Sequence, residues 1–212
     1  MFRTKVVLAD DHTMLLDALK NLLEPEFDVV GTFSDGHALV EGAPLLKPNV
    51  IVLDIGMPTM NGLTAGERLK RSLPGVKLIY LTMNQDPDIA AEAIRLGANG
   101  YLLKTSAGAE LVQTIRQVVR GATYITPLMT QDVVGSFITH FKTLKNTSHL
   151  TLRQREVLQL LAEGRSMKEA AFILNVSPRT VAFHKYTMME HLRIKSSAEL
   201  IQFALNTQLV AA

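Results

Sequence analysis

The sequence predicts an α/β fold, a doubly wound five-stranded parallel sheet, followed by a small all-α domain of four helices. In the first 120 residues, short β-branched apolar runs alternate with segments of helical periodicity, which is typical of a parallel sheet covered on both faces. From residue 149 onward the periodicity is helical only. The charge also differs, because residues 1–120 carry 12 Lys and Arg against 14 Asp and Glu, whereas residues 121–212 carry 10 against 6. A net positive second half favours an anionic partner.

The composition is that of a folded, soluble protein. Hydrophobic residues make up 47% and charged residues 20% of the 212 residues, close to globular averages, which excludes a wholly disordered chain. No apolar run reaches the roughly 18 residues of a spanning helix, and the first apolar run, at residues 6–9, is too short for a secretory signal. We therefore expect a cytoplasmic protein. The chain has no cysteine, which excludes disulfides, cysteine zinc sites and thiol nucleophiles.

The first half is predicted to contain five β/α units. The expected strands are residues 5–9, 27–33, 50–53, 76–81 and 100–103. The expected helices are residues 14–23, 38–46, 63–73, a fourth that begins at Asp86-Pro87 and ends at Leu96, and a fifth that is capped by Ser106 and ends at Arg120. Right-handed crossovers between parallel strands make such a sheet doubly wound.

The second half is predicted to contain a linker and then the four helices. Residues 121–148 have a polar end, a possible strand at 123–125 and a helix at about 131–141. Three later helix starts fit a capping box, in which a Ser or Thr is followed three residues later by Glu or Gln. These starts are Thr151, Ser166 and Ser196, and a fourth, Ser177-Pro178, combines a cap with a proline at the first helical position. The expected domains are residues 1–120 and 149–212, joined by residues 121–148.

Polar residues follow the predicted strands at the sheet edge where open α/β folds bind their ligands. They are Asp10 and Asp11 after the first strand, Asp54 after the third, Thr82 after the fourth and Lys104 after the fifth. Alone, Asp10 and Asp11 are explained as a solvated loop with a helix cap, Thr82 as a cap or turn residue and Lys104 as a solvated side chain. Asp54, which follows four apolar residues, is harder to explain in this way. Their joint occurrence at four strand ends favours a common site.

The chemistry of this set indicates a phosphoryl site with a hard metal ion. Clustered carboxylates repel one another and need a cation, and an incomplete cage of oxygen ligands suits Mg²⁺. A carboxylate nucleophile is able to form an aspartyl phosphate. Lys104 and the Thr82 hydroxyl would then contact phosphoryl oxygens, which supplies the positioning and charge neutralisation that phosphoryl transfer requires.

Residues 3–120 resemble the receiver domain of response regulators, the phosphorylated partners in two-component signalling. The matching motifs are LADDH at residues 8–12, VLDIGMPTMNG at 52–62, YLT at 80–82 and GYLLK at 100–104. The resemblance implies a flavodoxin-like fold, phosphoryl transfer from a histidine kinase to Asp54, and Mg²⁺ held by Asp10, Asp11, Asp54 and the Gly56 carbonyl.

The same resemblance implies a switch at the end of the sheet. Lys104 pairs with the phosphoryl group, and Thr82 bonds it after a shift. Tyr101 changes rotamer together with Thr82 and reports the state to the face formed by the fourth helix and the fifth strand. A receiver of this kind is no enzyme, apart from accepting the phosphoryl group and slowly losing it again.

Residues 167–192 have the pattern of a helix, a tight turn and a second helix. Val181, Met188 and Leu192 form a stripe on the second helix that we expect in the core. Such a helix is able to lie in the major groove of DNA, and the candidate DNA contacts are Lys168, Arg179, Thr180, Ala182, Phe183, Lys185, Tyr186 and Thr187. The pattern alone leaves open a protein-interaction domain in which the basic side chains are simply solvated.

Residues 149–210 are similar to the LuxR-type helix-turn-helix domain of NarL/FixJ response regulators. The matching motifs are LTLRQREVL at residues 150–158, SMKEAA at 166–171, LNVSPRTVAFH at 174–184 and LRIKSSAEL at 192–200. The resemblance implies a recognition helix at about 178–192 and a dimerising helix at about 197–206. The whole chain would be a phosphorylation-controlled transcription factor that binds double-stranded DNA as a homodimer, through the receiver, through helix 197–206 or through both.

Three other functions stay open at this point. An aspartyl-phosphate phosphatase uses the same Asp, Thr and Lys set, but such enzymes usually carry a second acid two residues after the nucleophile, where this chain has Gly56. An orphan regulator would bind DNA without phosphorylation, which the complete acidic set argues against. An autoinducer-binding regulator is disfavoured because its sensor half would not alternate strands and helices with these acids. None of the histidines, His12 included, is expected to belong to a metal-ligand cluster.

Overall fold

A parallel sheet forms the centre of the first half of the protein. The computed structural model describes residues 3–83, 85, 87–142, 150–174 and 176–206. Within these residues the strands are β1 Lys5–Ala9, β2 Asp28–Phe33, β3 Val50–Leu53, β4 Lys77–Thr82, β5 Gly100–Leu103 and β6 Tyr124–Ile125. They are all parallel, in the order β2-β1-β3-β4-β5-β6. The predicted fold class is confirmed, with six described strands instead of five.

The sixth strand extends the sheet beyond β5. The backbone of Tyr124 donates to Asn99 O at 3.0 Å, and the backbone of Thr126 donates to Tyr101 O at 3.0 Å. Two residues are too few for a periodic pattern, so the sequence indicated this strand only as a possibility. The central strands β3 and β5 are buried along their whole length, as expected for continuous apolar runs covered on both faces.

Six helices accompany the strands in the described part of this half. They are α1 Thr13–Leu23, α2 Gly36–Leu46, α3 Gly62–Ser72, α4 Pro87–Arg95, α5 Ala107–Val119 and α6 Pro127–Lys142. The start that we predicted at Asp86 lies outside the described residues. Ser106 stands at the predicted cap position of α5, but its side chain does not make the predicted capping hydrogen bond. Residues 104–106 form a 3₁₀ turn, in which the Ser106 hydroxyl donates to Leu103 O at 3.2 Å instead of accepting from the helix.

The helices bury apolar faces against both sides of the sheet. On one side, α1 and α5 pack against it with Leu16, Leu19, Leu111 and Ile115. On the other side, α2, α3 and α4 pack against it together with Met129 and Val133 of α6. The segment assigned to the linker therefore begins on the sheet, and its helix starts at Pro127. Residues 143–149 lie outside the described residues, and the domain boundaries stay a prediction.

The described part of the second half contains the four predicted helices. They are α7 Leu152–Ala162, α8 Met167–Ile173, α9 Pro178–His191 and α10 Ser197–Asn206. The predicted core stripe is confirmed, because Val181 and Met188 of α9 are fully buried and Leu192 packs against them. No helix in the described residues has both the length and the apolar character needed to cross a membrane.

The predicted helix starts differ in how completely they are capped. Full capping boxes are present at Thr151 and Ser166, and Ser177 accepts from the Thr180 backbone as a cap before Pro178. The third predicted box is half formed. Ser196 accepts from the backbone of Glu199, but the Glu199 carboxylate takes the backbone N–H of Lys195 instead of that of Ser196.

The helical half contacts the sheet half through α7. Arg155 of α7 forms an ion pair with Glu92 of α4, which Arg95 also binds, at 2.7 Å. Burial opposes the charge on Glu92, but the two guanidinium groups outweigh it and lower the pKa of Glu92 to about 2. A second cluster joins Glu156 of α7 to Arg68 of α3, and Arg153 lies 2.8 Å from the same carboxylate.

Two helical glycines allow a matched test of the packing. A Cβ atom on Gly66 of α3 would lie 2.0 Å from the Tyr80 hydroxyl, whereas one on Gly108 of α5 would meet no described atom within 4 Å. We expect Gly66→Ala to lower the free energy of unfolding by about 1–3 kcal/mol through overpacking. Gly108→Ala should raise it by roughly 0.5–1 kcal/mol because alanine restricts the unfolded chain. Urea denaturation followed by circular dichroism measures both, and equal effects would contradict the expected packing.

Candidate functional site

An acidic pocket lies at the carboxyl ends of β1, β3 and β5. Ala9 of β1 pairs with Leu53 of β3, so Asp10 and Asp54 leave neighbouring strands at the same level. The chain turns to β2 on one side of β1 and to β3 on the other, which is the switch point where doubly wound sheets bind ligands. Asp10 is 2% exposed and Asp54 6% exposed, which is rare for carboxylates and requires a partner.

Lys104 is the partner of both carboxylates. Its Nζ atom lies 2.7 Å from Asp10 Oδ2 and 2.9 Å from Asp54 Oδ2. The other oxygen of Asp54, Oδ1, accepts a hydrogen bond from the Ile55 backbone at 2.7 Å. Each carboxylate is thus held in place by the lysine ammonium, and Asp54 is also held by the backbone that follows it.

Burial and charge pairing have opposite effects on the pKa values of Asp54 and Lys104. Burial raises the pKa of Asp54, and the charge of Lys104 only partly offsets this effect. Burial would lower the pKa of Lys104, but the carboxylates of Asp54 and Asp10 outweigh it and raise the pKa. The lysine therefore stays protonated, and Asp54 is a more basic carboxylate than an exposed aspartate, which suits a nucleophile.

The residues beside the trio fit a divalent cation. The Nδ1 atom of His12 lies 3.0 Å from Asp10 Oδ1 and 2.9 Å from Asp11 Oδ1. One ring nitrogen carries at most one hydrogen. That one hydrogen cannot satisfy both acids, and apart from this contact Asp11 Oδ1 is buried without a hydrogen-bond partner among the described residues. A buried carboxylate oxygen of this kind, next to the Asp10 carboxylate, is the ligand chemistry that Mg²⁺ prefers.

The expectation that His12 belongs to no cluster is wrong. Asp10, Asp11 and His12 place their ligand atoms within 4.8 Å of one another. The turn after β1 brings the imidazole ring back onto the two acids, which a count of ligand spacings along a helix does not detect. The hydrogen bond to Asp10 and the charge of Asp11 raise the pKa of His12.

The remaining predicted residues of the pocket lie around Asp54 and Lys104. Gly56 is close enough that a Cβ atom there would lie 3.5 Å from Asp54 Oδ2. Thr82 ends β4 and pairs with Leu103, directly before Lys104. Tyr101 is fully buried, in the same apolar cluster as residues of α4 and α6. The structure therefore brings the strand-end residues together, whereas their roles stay predictions.

Comparison with known proteins decides the family. Residues 6–116 match the model of the response regulator receiver domain, and residues 148–204 match that of the luxR family of bacterial regulatory proteins. The chain is a response regulator of the NarL/FixJ family. Its first half is a receiver domain, and its second half is a LuxR-type DNA-binding domain.

The similarity extends over both domains of this response regulator. The oxygen regulatory protein NreC of Staphylococcus carnosus (strain TM300) is 35% identical over 97% of this chain and 99% of that protein. A structure of the Salmonella typhimurium RcsB response regulator has a TM-score of 0.70 and 28% identity, and covers 98% of this chain and 99% of that chain. RcsB bound to the promoter rprA in the presence of the phosphomimetic BeF₃⁻ has a TM-score of 0.69 and 28% identity over 95% of this chain and 98% of that chain.

The predicted DNA contacts of the response regulator lie on α8 and α9. Lys168 of α8 and Arg179, Phe183 and Tyr186 of α9 are exposed, and Thr180, Ala182, Lys185 and Thr187 are half-buried. Phe183 is 65% and Tyr186 58% exposed, so the receiver domain does not cover this aromatic face. The Lys185 ammonium lies 5.5 Å from the centre of the Tyr186 ring, which is within cation–π range.

Sequence reasoning missed a contact between the receiver site and α7. Gln159 of α7 and Glu163, the residue directly after α7, hydrogen-bond to the backbone of the loop that follows Asp54, at Met57, Thr59 and Asn61. These residues are 98 to 104 positions apart in the chain. No local pattern marks either partner, because a glutamine on a helix face has the same appearance whether or not a second domain packs there.

Removal of the lysine tests the electrostatics of the pocket. In metal-free buffer, we expect Lys104→Met to lower the free energy of unfolding by about 3–5 kcal/mol, because it leaves two buried carboxylates without their partner. The double variant Lys104→Met/Asp54→Asn should recover part of this loss, because a neutral amide does not repel Asp10. Thermal denaturation measures both.

The matched control is Lys20→Met, which removes a half-exposed lysine 3.7 Å from Glu24. Exposed pairs of this kind contribute less than about 1 kcal/mol. If Lys104→Met were no more destabilising than Lys20→Met, the pairing of Lys104 with the buried acids would be contradicted.

Proposed function

We propose that this response regulator accepts a phosphoryl group on Asp54 from a histidine kinase and thereby controls DNA binding and transcription. The observation that carries the proposal is the buried Asp54 carboxylate, held 2.9 Å from the Lys104 ammonium, which also contacts Asp10, the neighbour of Asp11. A buried acid with one neutralising cation and an open ligand position provides what phosphoryl transfer requires, namely positioning and charge neutralisation.

The reaction follows from the position of each group. An oxygen of Asp54 attacks phosphorus, and the bond from phosphorus to the kinase histidine breaks. The Lys104 ammonium group moves from the Asp54 carboxylate to a phosphoryl oxygen on the same side chain, so the required movement is short. Asp10, Asp11, Asp54 and the Gly56 carbonyl would hold Mg²⁺, which would supply charge that neutralises the transferred group.

The conformational response is proposed for Thr82 and Tyr101. The Thr82 hydroxyl donates to the phosphoryl group after a shift of the β4 end, and Tyr101 changes rotamer with it. Because Tyr101 lies in the same cluster as Met129 of α6, its side chain is placed to affect the segment that leads to the DNA-binding domain. The change would act as a population shift between two receiver states.

DNA binding is proposed for the exposed face of α9. Structures of the relative RcsB are described as bound to the promoters P1flhDC and rprA, both in the presence of BeF₃⁻. A homodimer, formed through the receiver, α10 or both, would place two recognition helices in half-sites about 34 Å apart. No acid stands at position 56 to protonate a leaving group, so we do not propose a phosphatase.

Phosphoryl labelling tests the acceptor. With a small acyl phosphate donor and Mg²⁺, we expect the protein to gain one phosphoryl group, and Asp54→Asn to gain none, because the amide is no nucleophile. Chelation of Mg²⁺ should abolish labelling of the wild type. Intact-protein mass spectrometry measures the product.

The control is Asp17→Asn, which removes an exposed carboxylate from α1. This variant should be labelled as fast as the wild type. Labelling of Asp54→Asn at a comparable rate would disprove the assignment of the acceptor.

Two substitutions on α9 separate the kinds of DNA contact. Lys185→Ala should weaken binding to all sequences alike and reduce the slope of log K against log salt by about one, as expected for one lost phosphate contact. Phe183→Ala should lower the preference for the target over random DNA by roughly fivefold or more, if its ring contacts base edges. Fluorescence anisotropy at several salt concentrations measures both constants.

The matched control is Phe172→Ala, which removes an 89% exposed phenylalanine from α8. It should leave the preference for the target unchanged. Equal effects of Phe172→Ala and Phe183→Ala would contradict the assignment of α9 as the recognition helix.

A further inference from the structure

A single side chain of the DNA-binding domain holds the loop that follows the phosphoryl acceptor. This acceptor loop, residues 55–61, connects Asp54 to α3. Gln159 of α7 is 1% exposed. Its Nε2 atom donates to Met57 O at 2.9 Å, and its Oε1 atom accepts from the backbone of Asn61 at 2.7 Å. The amide group therefore bridges the two sides of the loop.

The tip of the acceptor loop has a conformation that needs such support. Thr59 has a φ angle of 61°, a left-handed conformation that is unfavourable for a β-branched residue. Its backbone N–H donates to Glu163 Oε1 at 3.1 Å, and Gln159 Nε2 donates to the same oxygen at 2.9 Å. Such strain persists where the surrounding structure holds it, and here the holding groups are Gln159 of α7 and Glu163 at its C-terminal end.

The base of the loop is tightly packed and hydrogen-bonded. Gly62 N donates to Ile55 O at 2.9 Å, and a Cβ atom on Gly62 would lie 2.0 Å from Asp54 O. The Asn61 side chain caps α3 by accepting from Thr64 N at 2.9 Å. Gly56, which stands beside the Asp54 carboxylate, lies between Ile55 of this fixed base and Met57, whose carbonyl Gln159 binds.

We propose that Gln159 is a positioning residue for phosphoryl acceptance, which makes the docked DNA-binding domain a part of the receiver site. With α7 docked, the acceptor loop is held in the shape that offers the Gly56 carbonyl to Mg²⁺ next to Asp54. With α7 undocked, Met57 O and Asn61 N lose their partners and the loop relaxes. The inference rests on the proposed function and adds a residue from the second domain to it.

The docked arrangement leaves the DNA-reading surface free. Two ion pairs about one helical turn before Gln159, from Arg155 to Glu92 and from Glu156 to Arg68, keep α7 in place. Phe183 of α9 is nevertheless 65% exposed. Because coupling between two binding equilibria is reciprocal, Mg²⁺ binding stabilises the docked arrangement by the same factor by which docking favours Mg²⁺ binding.

The first test is the Mg²⁺ affinity of the full-length protein. Gln159→Leu removes both hydrogen bonds to the loop. We expect it to weaken Mg²⁺ binding roughly tenfold, the lower end of what loss of an outer-shell partner costs a metal site. Isothermal titration calorimetry measures the constant directly. Gln113→Leu, the same change at an exposed site on α5, should bind Mg²⁺ like the wild type.

The second readout separates positioning from a general loss of structure. The Mg²⁺ concentration that gives half the maximal labelling rate should rise in Gln159→Leu by the factor seen in calorimetry. The rate at saturating Mg²⁺ should change less. Amide hydrogen exchange should show that Mg²⁺ protects residues 55–61 and α7 together in the wild type, and that this coupled protection is lost in Gln159→Leu.

A second variant keeps the test decisive if Gln159→Leu does not fold. Gln159→Glu keeps the size and the acceptor for Asn61 N but turns a carboxylate oxygen towards Met57 O, so it should weaken Mg²⁺ binding in the same direction. A folded Gln159 variant with unchanged or tighter Mg²⁺ binding overturns the inference. A wild type that takes no label, or an Asp54→Asn variant that does, overturns the proposed function instead.

Discussion

The charge balance among Asp10, Asp54 and Lys104 is the constraint on which the rest of the structure depends. Two carboxylates that are nearly inaccessible to water lie at the ends of adjacent strands, and one ammonium group contacts both. Buried charges of like sign are tolerated only with such a partner. The site therefore requires β1, β3 and β5 to end at one level, which the parallel register provides.

The same pocket connects to the second domain by a short path. Asp54 accepts from the Ile55 backbone, and the loop that continues from there is bound by Gln159 of α7 and by Glu163 directly after it. The apolar cluster around Tyr101 offers a second connection, through Met129 of α6. Asp54 is thus connected to two helices outside the receiver sheet, α6 and α7. The aromatic face of α9, with Phe183 and Tyr186, stays exposed.

Much of the fold follows from local patterns. The run of residues 50–53 predicted a strand buried on both faces, and the stripe of Val181 and Met188 predicted the core of the helical half. Predictions of helix caps from the local sequence failed where the capping side chain found another hydrogen-bond partner. Ser106 sits in a 3₁₀ turn and donates backwards to Leu103, and Glu199 binds the Lys195 backbone, so neither completes the predicted cap.

By itself, the sequence determined the order of elements, the acids at the strand ends and the helix-turn-helix pattern, because each of these depends on residues close together in the chain. Tertiary structure decided that Lys104 bridges two carboxylates, that His12 folds back onto Asp10, and that Gln159 binds the acceptor loop. Lys104 is 50 residues from Asp54, and Gln159 is 102 residues from Met57. Partners at such separations are specified only when strand register and helix packing have placed their backbones, since propensity and periodicity act over a few residues at most.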